Sequence, residues 1–414
     1  MRVAYICADP GIPVFGSKGA SVHIQEIVRA FRKRGDEVTV YCARRGDVIP
    51  ADLTDLTVVD IAVRAPEVAS REIAIAATAE LLAAMAIADG CDLVYERYAL
   101  FSTAAALVKQ ATGAPFVLEV NAPLIDEQRE HRSLYDAHGA TAATRVIIDA
   151  ADVVACVSEA VAGWVTELSV GTAAPRTLVV ANGVNTARIR PAAPATPTPR
   201  SPEFTVGFVG TLKPWHGVDV FLRAAAAAAS ARPDPQPWRL IVAGAGPQLD
   251  ALRSLAAELL GAPAHTGPQT LHIEFTGTVA PDQIPAVLAR FDVAVAPYPQ
   301  ADAADQYFSP LKVYEYLAAG LPVVASAIGQ IPEIIDHRRT GLLVPAGDEH
   351  ALSAAMLELQ DDLDLRRRLG AAGRAAAVAD HDWTAVLTRT LEPLAQRLFA
   401  LHAASPAPRE AVLR

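Results

Sequence analysis

The residues whose types and spacing could do chemistry are concentrated between Ser309 and Glu315. Ser309 followed by Pro310 is typical of a helix start. Gly320 suits the position just past a helix end, so the pattern predicts a short helix over residues 310–319. A helix start leaves backbone N–H groups unpaired and carries the positive end of the helix dipole. The sequence therefore predicts a site for an anion, most often phosphate, at this position.

Two charged side chains of this helix could take part. Lys312 in the first turn opposes the helix dipole, which a bound anion would offset; an ion pair with Glu315 three residues on accounts for it equally well. Glu315 could accept hydrogen bonds from two neighbouring hydroxyls, as on a ribose. The alternative is an ordinary solvated helix glutamate.

The elements that would position this helix follow a pattern that occurs twice. A strand over residues 3–8, a loop rich in glycine and proline and a helix over residues 21–34 open the chain, and Phe204 to Val209 starts a second such series. Doubly wound parallel sheets begin in this way and bind ligands at the carboxyl ends of their strands. We therefore predict an α/β chain with two doubly wound Rossmann-like domains.

The stretch Pro191 to Pro202 holds five prolines and reads as a linker. It divides the chain into a first domain over residues 1–187, a linker over 188–204 and a second domain over 205–382. Polar residues just past strand ends should face the ligand, which makes Glu96, Arg97, Glu119 and Asn121 candidates in the first domain.

Composition excludes several classes of protein. The net charge of −10 argues against nonspecific nucleic-acid binding. No apolar run is long enough for a transmembrane helix, and the N-terminus reads as a first strand rather than a signal peptide. The four cysteines lack metal-ligand spacing and fit buried, reduced thiols of a cytosolic protein. No carboxylate pair suits a metal, since Asp362 and Asp364 lie in a charged helical stretch.

The stretch Phe308 to Ser326 resembles the donor-site segment of the retaining glycosyltransferases of family 4, enzymes of the GT-B fold. Their hallmark is two glutamates separated by seven residues, a small-residue helix end and a Pro-Val-Val-Ala strand. Glu315 matches the second glutamate, whereas Tyr307 stands at the first, as in a subset that carries Tyr-Phe-Ser-Pro-Leu-Lys.

Two loops extend the resemblance. The family reads Gly-Arg-Leu, three residues and Lys-Gly after the first strand of its second domain, and the two cations hold the donor diphosphate. Here Thr211 and His216 occupy those positions, which leaves Lys213 as the main expected phosphate ligand and His216 as the second. In the first domain, Gly19 and His23 match a Gly-Gly motif followed by a histidine.

The resemblance implies the fold, the sites and the reaction. It implies a GT-B fold with two domains facing a central crevice and a last helix, at about 383–414, that completes the first domain. The catalytic candidates are Glu315, Lys213, Asn121 and Tyr307. The donor-binding candidates are Gly19, Gly210, Lys213, His216, Gly244, Gly277, Ser309, Pro310, Leu311, Lys312 and Glu315. The acceptor-side candidates are His23, Arg97, Glu119 and Asn121.

We expect a retaining, metal-independent glycosyltransferase that uses a nucleoside diphosphate sugar and no cofactor. The acceptor could be a saccharide, a lipid-linked molecule or a small molecule. The alternatives are a nucleotide-sugar epimerase of the same fold and a binding protein without catalysis. The location expected is cytoplasmic, with a peripheral membrane contact as the minority interpretation of a basic cluster. That cluster comprises Arg29, Arg32, Lys33 and Arg34.

Overall fold

The computed structural model describes residues 1–169, 176–192, 203–231, 236–261, 271–300 and 309–404. Tyr307 and most of the predicted linker lie outside the described residues. The chain divides into two compact units, Met1–Ala181 with Trp383–Arg414, and Asn182–Asp382. The division falls six residues before the boundary that the sequence suggests, and the return to the first unit begins at Trp383.

The first unit is built on a seven-stranded parallel sheet with the order β3-β2-β1-β4-β5-β6-β7. Its strands are β1 (Arg2–Cys7), β2 (Glu37–Cys42), β3 (Thr57–Asp60), β4 (Leu93–Arg97), β5 (Phe116–Val120), β6 (Val153–Cys156) and β7 (Thr177–Val179). Its helices in the N-terminal segment are α1 (Gly19–Lys33), α2 (Val68–Asp89), α3 (Ala104–Thr112), α4 (Leu124–His131), α5 (Ala137–Ala150) and α6 (Glu159–Leu168).

The second unit repeats the plan with a six-stranded parallel sheet of order β10-β9-β8-β11-β12-β13. Its strands are β8 (Phe204–Val209), β9 (Trp238–Ala243), β10 (Leu271–Gly277), β11 (Val293–Ala296), β12 (Val323–Ser326) and β13 (Leu342–Val344). Its helices are α7 (Val218–Ser230), α8 (Leu249–Gly261), α9 (Ile284–Leu288), α10 (Leu311–Ala318), α11 (Ile331–Ile334), α12 (Glu349–Asp361) and α13 (Leu363–Asp380). The chain ends with α14 (Trp383–Leu391) and α15 (Ala395–Ala404) in the first unit.

The buried strands explain both sheets. β5 and β8 are buried at every position, because helices cover both faces of a parallel sheet and leave no solvent-facing side. In the second unit the core contains Phe204, Phe208, Phe221 and Trp238, with alanines of α7 lying close to the strands. The predicted fold class, two doubly wound domains, is confirmed.

The strand order places the candidate ligand-binding loops at the carboxyl ends of the strands in each sheet. In both units the first strand lies inside the sheet, and the order continues in opposite directions from it. The carboxyl ends of β8 and its neighbours therefore meet where the chain order switches, which is where such sheets bind ligands. Within the described residues no helix has the length and apolar character needed to cross a bilayer.

Candidate functional site

Lys312 is the centre of the candidate site in the second unit. It lies in the first turn of α10 and is only 9% exposed. Its ammonium lies 4.6 Å from the ring centroid of Phe208 and 5.0 Å from that of Tyr298, and it has no hydrogen-bond partner among the described residues. Burial lowers the pKa of Lys312 to about 7, although the charge of Glu315 opposes the shift. A buried ammonium in this position needs an anion to balance it.

Glycines bring the loop after β8 close to this ammonium. Gly210 has a φ of 152°, and a Cβ there would lie 3.1 Å from Cε and 3.3 Å from Nζ of Lys312. Gly244 follows β9, and a Cβ at this residue would lie 1.9 Å from the carbonyl oxygen of Gly210. Gly277 ends β10 and forms a bridge with Gly244. The predicted glycines therefore form adjacent turns at one edge of the sheet, where backbone can approach a ligand closely.

His216 does not suit the predicted role of second phosphate cation. It lies in a 3-10 helix, Pro214–His216, and its Nδ1–H donates to the carbonyl oxygen of Thr211. Burial and the nearby charge of Lys312 lower the pKa of His216 to about 3, so the ring is neutral. In the neutral ring the other nitrogen, Nε2, carries a lone pair and cannot donate to phosphate. His216 instead fixes the shape of the loop.

Lys213, the predicted main phosphate ligand, lies in the same loop. Its ammonium lies 5.2 Å from the ring centroid of Trp215, whose side chain is 56% exposed. Attraction of an ammonium to an exposed indole is worth about 0.5–1 kcal/mol, which a phosphate contact would exceed. The role of Lys213 as a phosphate ligand stays a prediction. Lys312, which is also predicted to bind the donor, has stronger structural support for such a role.

The start of α10 differs from the sequence-based prediction. The helix begins at Leu311, and Pro310 occupies the N-cap position without a side-chain cap. Ser309 does not cap, because its hydroxyl accepts a hydrogen bond of 3.1 Å from the backbone N–H of Asn182. The Asn182 side chain also donates to the carbonyl oxygen of Ser309 at 3.2 Å. Among the described residues, the N-cap position of α10 therefore provides no side-chain acceptor for the first N–H groups of the helix.

Glu315 lies one turn after Lys312 and is partly buried. The helix ends as the sequence predicts, with Gly320 in the left-handed conformation at a φ of 68°. The ribose contact of Glu315 stays a prediction.

The four acceptor-side candidates lie together in the first unit, around Glu119 on β5. The Glu119 carboxylate lies 2.9 Å from His23 Nε2 and 2.9 Å from Arg97 Nη1, and it accepts a 2.6 Å bond from the Tyr95 hydroxyl. The side chain of Asn121 also donates to it. Burial alone would raise the pKa of Glu119, but the contacts with His23, Arg97 and Tyr95 lower it to about 2. The cluster is therefore a carboxylate held ionised by its donors.

Burial divides the roles within this Glu119 cluster. Glu119 is 4% exposed and its carboxylate contacts Arg97, Tyr95 and Asn121, so it holds these side chains in place. His23 lies on α1, which begins at the predicted Gly19, and its ring packs edge-on against Trp383 at 4.7 Å. Asn121 follows β5 and is partly exposed, which leaves its remaining amide atoms for a ligand.

Several residues of both sites escaped the sequence-based prediction. Tyr95 was detectable, because it precedes Arg97 by two residues on β4 and alternate residues of a strand share a face. Phe208 lies on β8 and Tyr298 in the loop after β11, and Asn182 contacts Ser309 across 127 positions of the chain. Nothing local in the sequence indicates those contacts.

The basic cluster at the end of α1 is largely neutralised. Arg29 pairs with Asp52 at 2.6 Å, Arg32 with Asp55 at 2.5 Å and Arg34 with Asp36 at 3.1 Å. Lys33 donates to the hydroxyl of Thr384. These pairs fit the solvated helix end that the sequence favours, and the membrane contact stays a prediction.

The remaining titratable candidates have structural roles. Asp362 caps α13 by accepting from the N–H of Leu365, and Asp364 pairs with Arg367. Among the residues that the structure describes, no group of three or more His, Cys, Asp or Glu side chains could hold a metal ion. The cysteines are free thiols, and burial raises the pKa of Cys7 to about 12.

Comparison with known families matches both units. Residues 17–188 match the family model described as Glycosyltransferase Family 4, and residues 203–362 match the model described as Glycosyl transferases group 1. The Anabaena protein HepE, solved in complex with UDP and glucose, superposes with a TM-score of 0.67 at 19% identity. That superposition covers 96% of this chain and all of HepE, and at this identity it supports the GT-B fold alone.

Curated relatives match parts of the chain at higher identity. A GDP-mannose-dependent phosphatidylinositol monomannoside mannosyltransferase of Mycobacterium tuberculosis is 36% identical over 145 residues. The match covers 35% of this chain and 36% of the relative, so the chain spans about a third of that protein's length. The alpha-maltose-1-phosphate synthase of Mycolicibacterium smegmatis is 28% identical over 413 residues, which is 95% of this chain and 98% of that one. The first unit therefore matches a Glycosyltransferase Family 4 model and the second a Glycosyl transferases group 1 model, and these matches together with the GT-B fold support a glycosyltransferase.

Proposed function

We propose that the protein transfers a sugar from a nucleoside diphosphate sugar to an acceptor hydroxyl, with retention at the anomeric carbon. The observation that carries this proposal is Lys312. Its buried ammonium has no hydrogen-bond partner among the described residues, and it lies at the uncapped start of α10 beside Gly210. A diphosphate supplies the charge that this arrangement lacks.

In this proposal the second unit stabilises the leaving group. When the bond between the anomeric carbon and the phosphate oxygen breaks, negative charge grows on the terminal phosphate. Lys312 and the first N–H groups of α10 would offset that charge, and preorganised charge of this kind is an effective source of rate enhancement. Lys213 would add a second cation after leaving the ring of Trp215.

Retention and independence from metal are parts of the proposal that rest on the family resemblance and on charge. The resemblance implies displacement on one face of the sugar, in which the acceptor oxygen bonds to the anomeric carbon and its proton passes to the leaving diphosphate. The lysines supply positive charge that a metal supplies in other glycosyltransferases. Asn121 and Arg97, oriented by Glu119, are the proposed acceptor-side contacts.

The relatives suggest which donors to try first. The HepE structure contains UDP and glucose, and the M. tuberculosis relative uses GDP-mannose. We propose a donor of this class, with a saccharide, a lipid-linked molecule or a small molecule as acceptor. A cytoplasmic location and a peripheral membrane contact through the α1 cluster complete the proposal.

The experiment that tests the function incubates the protein with UDP-glucose or GDP-mannose, with and without a panel of glycosyl acceptors. We expect free nucleoside diphosphate and a glycoside of retained configuration, detected by NMR, only when an acceptor is present. Conversion of the sugar nucleotide into an isomer without any acceptor would favour the epimerase. Nucleotide binding without turnover across a broad donor panel would favour a binding protein.

A further inference from the structure

We infer that Asn182 and Arg374 are positioning residues that fix the two ends of α10 and thereby the place of Lys312. This inference rests on the proposed function, because it concerns the helix that would bind the diphosphate. Both residues belong to the second unit, and neither is predicted to touch the donor. Residues 182–191 are called here the connecting segment. Asn182 belongs to this segment and bonds Ser309, two residues before α10 begins, whereas Arg374 bonds both the segment and the last residue of α10.

Arg374 closes the C-terminal end of the helix. Its guanidinium donates to the carbonyl oxygens of Ala318 at 2.8 Å, Ile189 at 2.8 Å and Thr186 at 3.0 Å. Ala318 is the last residue of α10, so its carbonyl is one of those that a helix end leaves unpaired. A rigid guanidinium that bonds both α10 and the connecting segment fixes their distance.

Close contact between helices puts Arg374 in this position. Gly370, one turn earlier on α13, packs so tightly that a Cβ there would lie 2.2 Å from the carbonyl oxygen of Gly320. The connecting segment is also tied to the end of α13, since Thr186 donates to Asp382 at 2.6 Å and Val184 donates to the His381 carbonyl at 2.8 Å. The C-terminal end of α10 therefore lies against an anchored frame.

Asn182 holds the other end of the helix. Its backbone N–H and its side-chain amide both donate to Ser309, two residues before α10 begins. Ser309 and Lys312 are three residues apart, so a shift at Ser309 moves the ammonium. Misplacement of a charged group by about 1 Å can cost roughly a hundredfold in a catalysed reaction. The same connecting segment thus fixes α10 at its start and at its end.

The test measures binding of UDP and GDP, and of uridine and guanosine as ligands without phosphate, to Arg374→Ala and Asn182→Ala. We expect Arg374→Ala to weaken diphosphate binding about tenfold while the nucleoside binds as before. Asn182→Ala removes the side-chain bond to Ser309 and keeps the backbone one, so it should weaken diphosphate binding less, again with the nucleoside unaffected. The matched control is Arg366→Ala on the same helix. Arg366 donates to the carbonyls of Leu359 and Gln360, away from α10, so its loss should leave diphosphate binding unchanged.

A rescue experiment distinguishes positioning from a purely structural role. Positioning predicts that millimolar guanidinium ion restores diphosphate affinity to Arg374→Ala, because the ion refills the site between the carbonyls, and that it does nothing for Asn182→Ala. Wild-type diphosphate affinity in both variants, or equal loss for nucleoside and diphosphate, would overturn the inference. If Arg374→Ala does not fold, Asn182→Ala decides alone. Failure of the wild type to bind any diphosphate would overturn the proposed function as well, whereas unchanged variants of a binding wild type would overturn the positioning alone.

Discussion

The ammonium of Lys312 lies near two aromatic rings and loses hydration without gaining a hydrogen bond from any residue that the structure describes, and this cost is the main physical fact about Lys312. The ring faces of Phe208 and Tyr298 recover part of it, yet the pKa of Lys312 falls to about 7. Proteins keep such groups where function needs them and lose stability in return.

Replacing Lys312 should therefore make the free protein more stable. We expect Lys312→Met to raise the free energy of unfolding by about 1–3 kcal/mol, the usual cost of a buried polar group without a partner. The wild-type fold binds fewer protons than the unfolded chain between about pH 7 and about pH 10, because the folded pKa is the lower one. Wild-type stability should thus rise with pH across that window and approach that of the variant. Thermal and urea unfolding at pH 7 and pH 9 check this; a variant less stable than wild type at pH 7 contradicts it.

The affinity for a diphosphate should change with pH in the opposite direction to the stability. A diphosphate needs the charged form of Lys312, whose pKa is about 7 in the free protein, so affinity should fall as pH rises above 7, by up to about tenfold per unit. Calorimetric titration with UDP from pH 6.5 to pH 9 measures the slope. Lys312→Arg, which stays charged throughout, should bind with no such slope. An equal slope in both proteins would assign it to another group.

The sequence favoured Lys213 and His216 as the phosphate ligands. The structure shows why the charges within one loop were not sufficient to identify them. His216 is neutral because partial burial and the nearby charge of Lys312 lower its pKa to about 3, although its bond to the carbonyl of Thr211 favours the charged ring. Burial and proximity across the sheet decide which cation matters, and neither is readable from the order of residues in one loop.

At the scale of elements, local signals predicted the existence of α10 better than its start. The positions of proline and glycine predicted the helix and its end. The start differs, because the Ser309 hydroxyl accepts a hydrogen bond from Asn182 instead of capping the helix. β8 has the predicted bounds because buried parallel strands read as continuous apolar runs. β3 was missed, because it is a short, half-exposed strand at the sheet edge with a weak pattern.

The second turn of α10 carries a prediction about the nucleoside. If Glu315 accepts bonds from both ribose hydroxyls, Glu315→Gln removes the charge and turns one acceptor into a donor, which should cost about 1–3 kcal/mol in donor binding. Wild type should prefer the ribose nucleotide over its 2′-deoxy form, and the variant should discriminate much less. Full ribose preference in Glu315→Gln would return this residue to an ordinary helix position.

At the scale of the whole molecule, two parallel sheets of the same plan carry different chemistry at their carboxyl edges. The first unit places an ionised carboxylate among donors, and the second places at a helix start an ammonium that no described residue hydrogen-bonds. The two series of strands and helices in the sequence predict two sheets of this plan. The groupings around Glu119 and Lys312 depend on which strands become neighbours, and for those contacts the structure was needed.

Because lysines and helix N–H groups would offset the diphosphate charge, we expect turnover to survive chelation. Rates measured in EDTA should stay close to those in buffer. Complete loss of turnover in EDTA that manganese or magnesium restores would show that the reaction needs a metal.

The most direct measurement of the central claim compares nucleoside diphosphate with bare nucleoside on wild type and Lys312→Met by calorimetry, with Lys213→Ala as the second cation variant. A charge-assisted phosphate contact is worth about 1.5–3 kcal/mol, so Lys312→Met should weaken UDP or GDP binding by about ten- to a hundredfold. The variant should bind uridine or guanosine as wild type does, and Lys213→Ala should show a smaller loss of the same kind. Equal weakening of diphosphate and nucleoside, or unchanged diphosphate affinity in Lys312→Met, would contradict the assignment of Lys312 as the phosphate site.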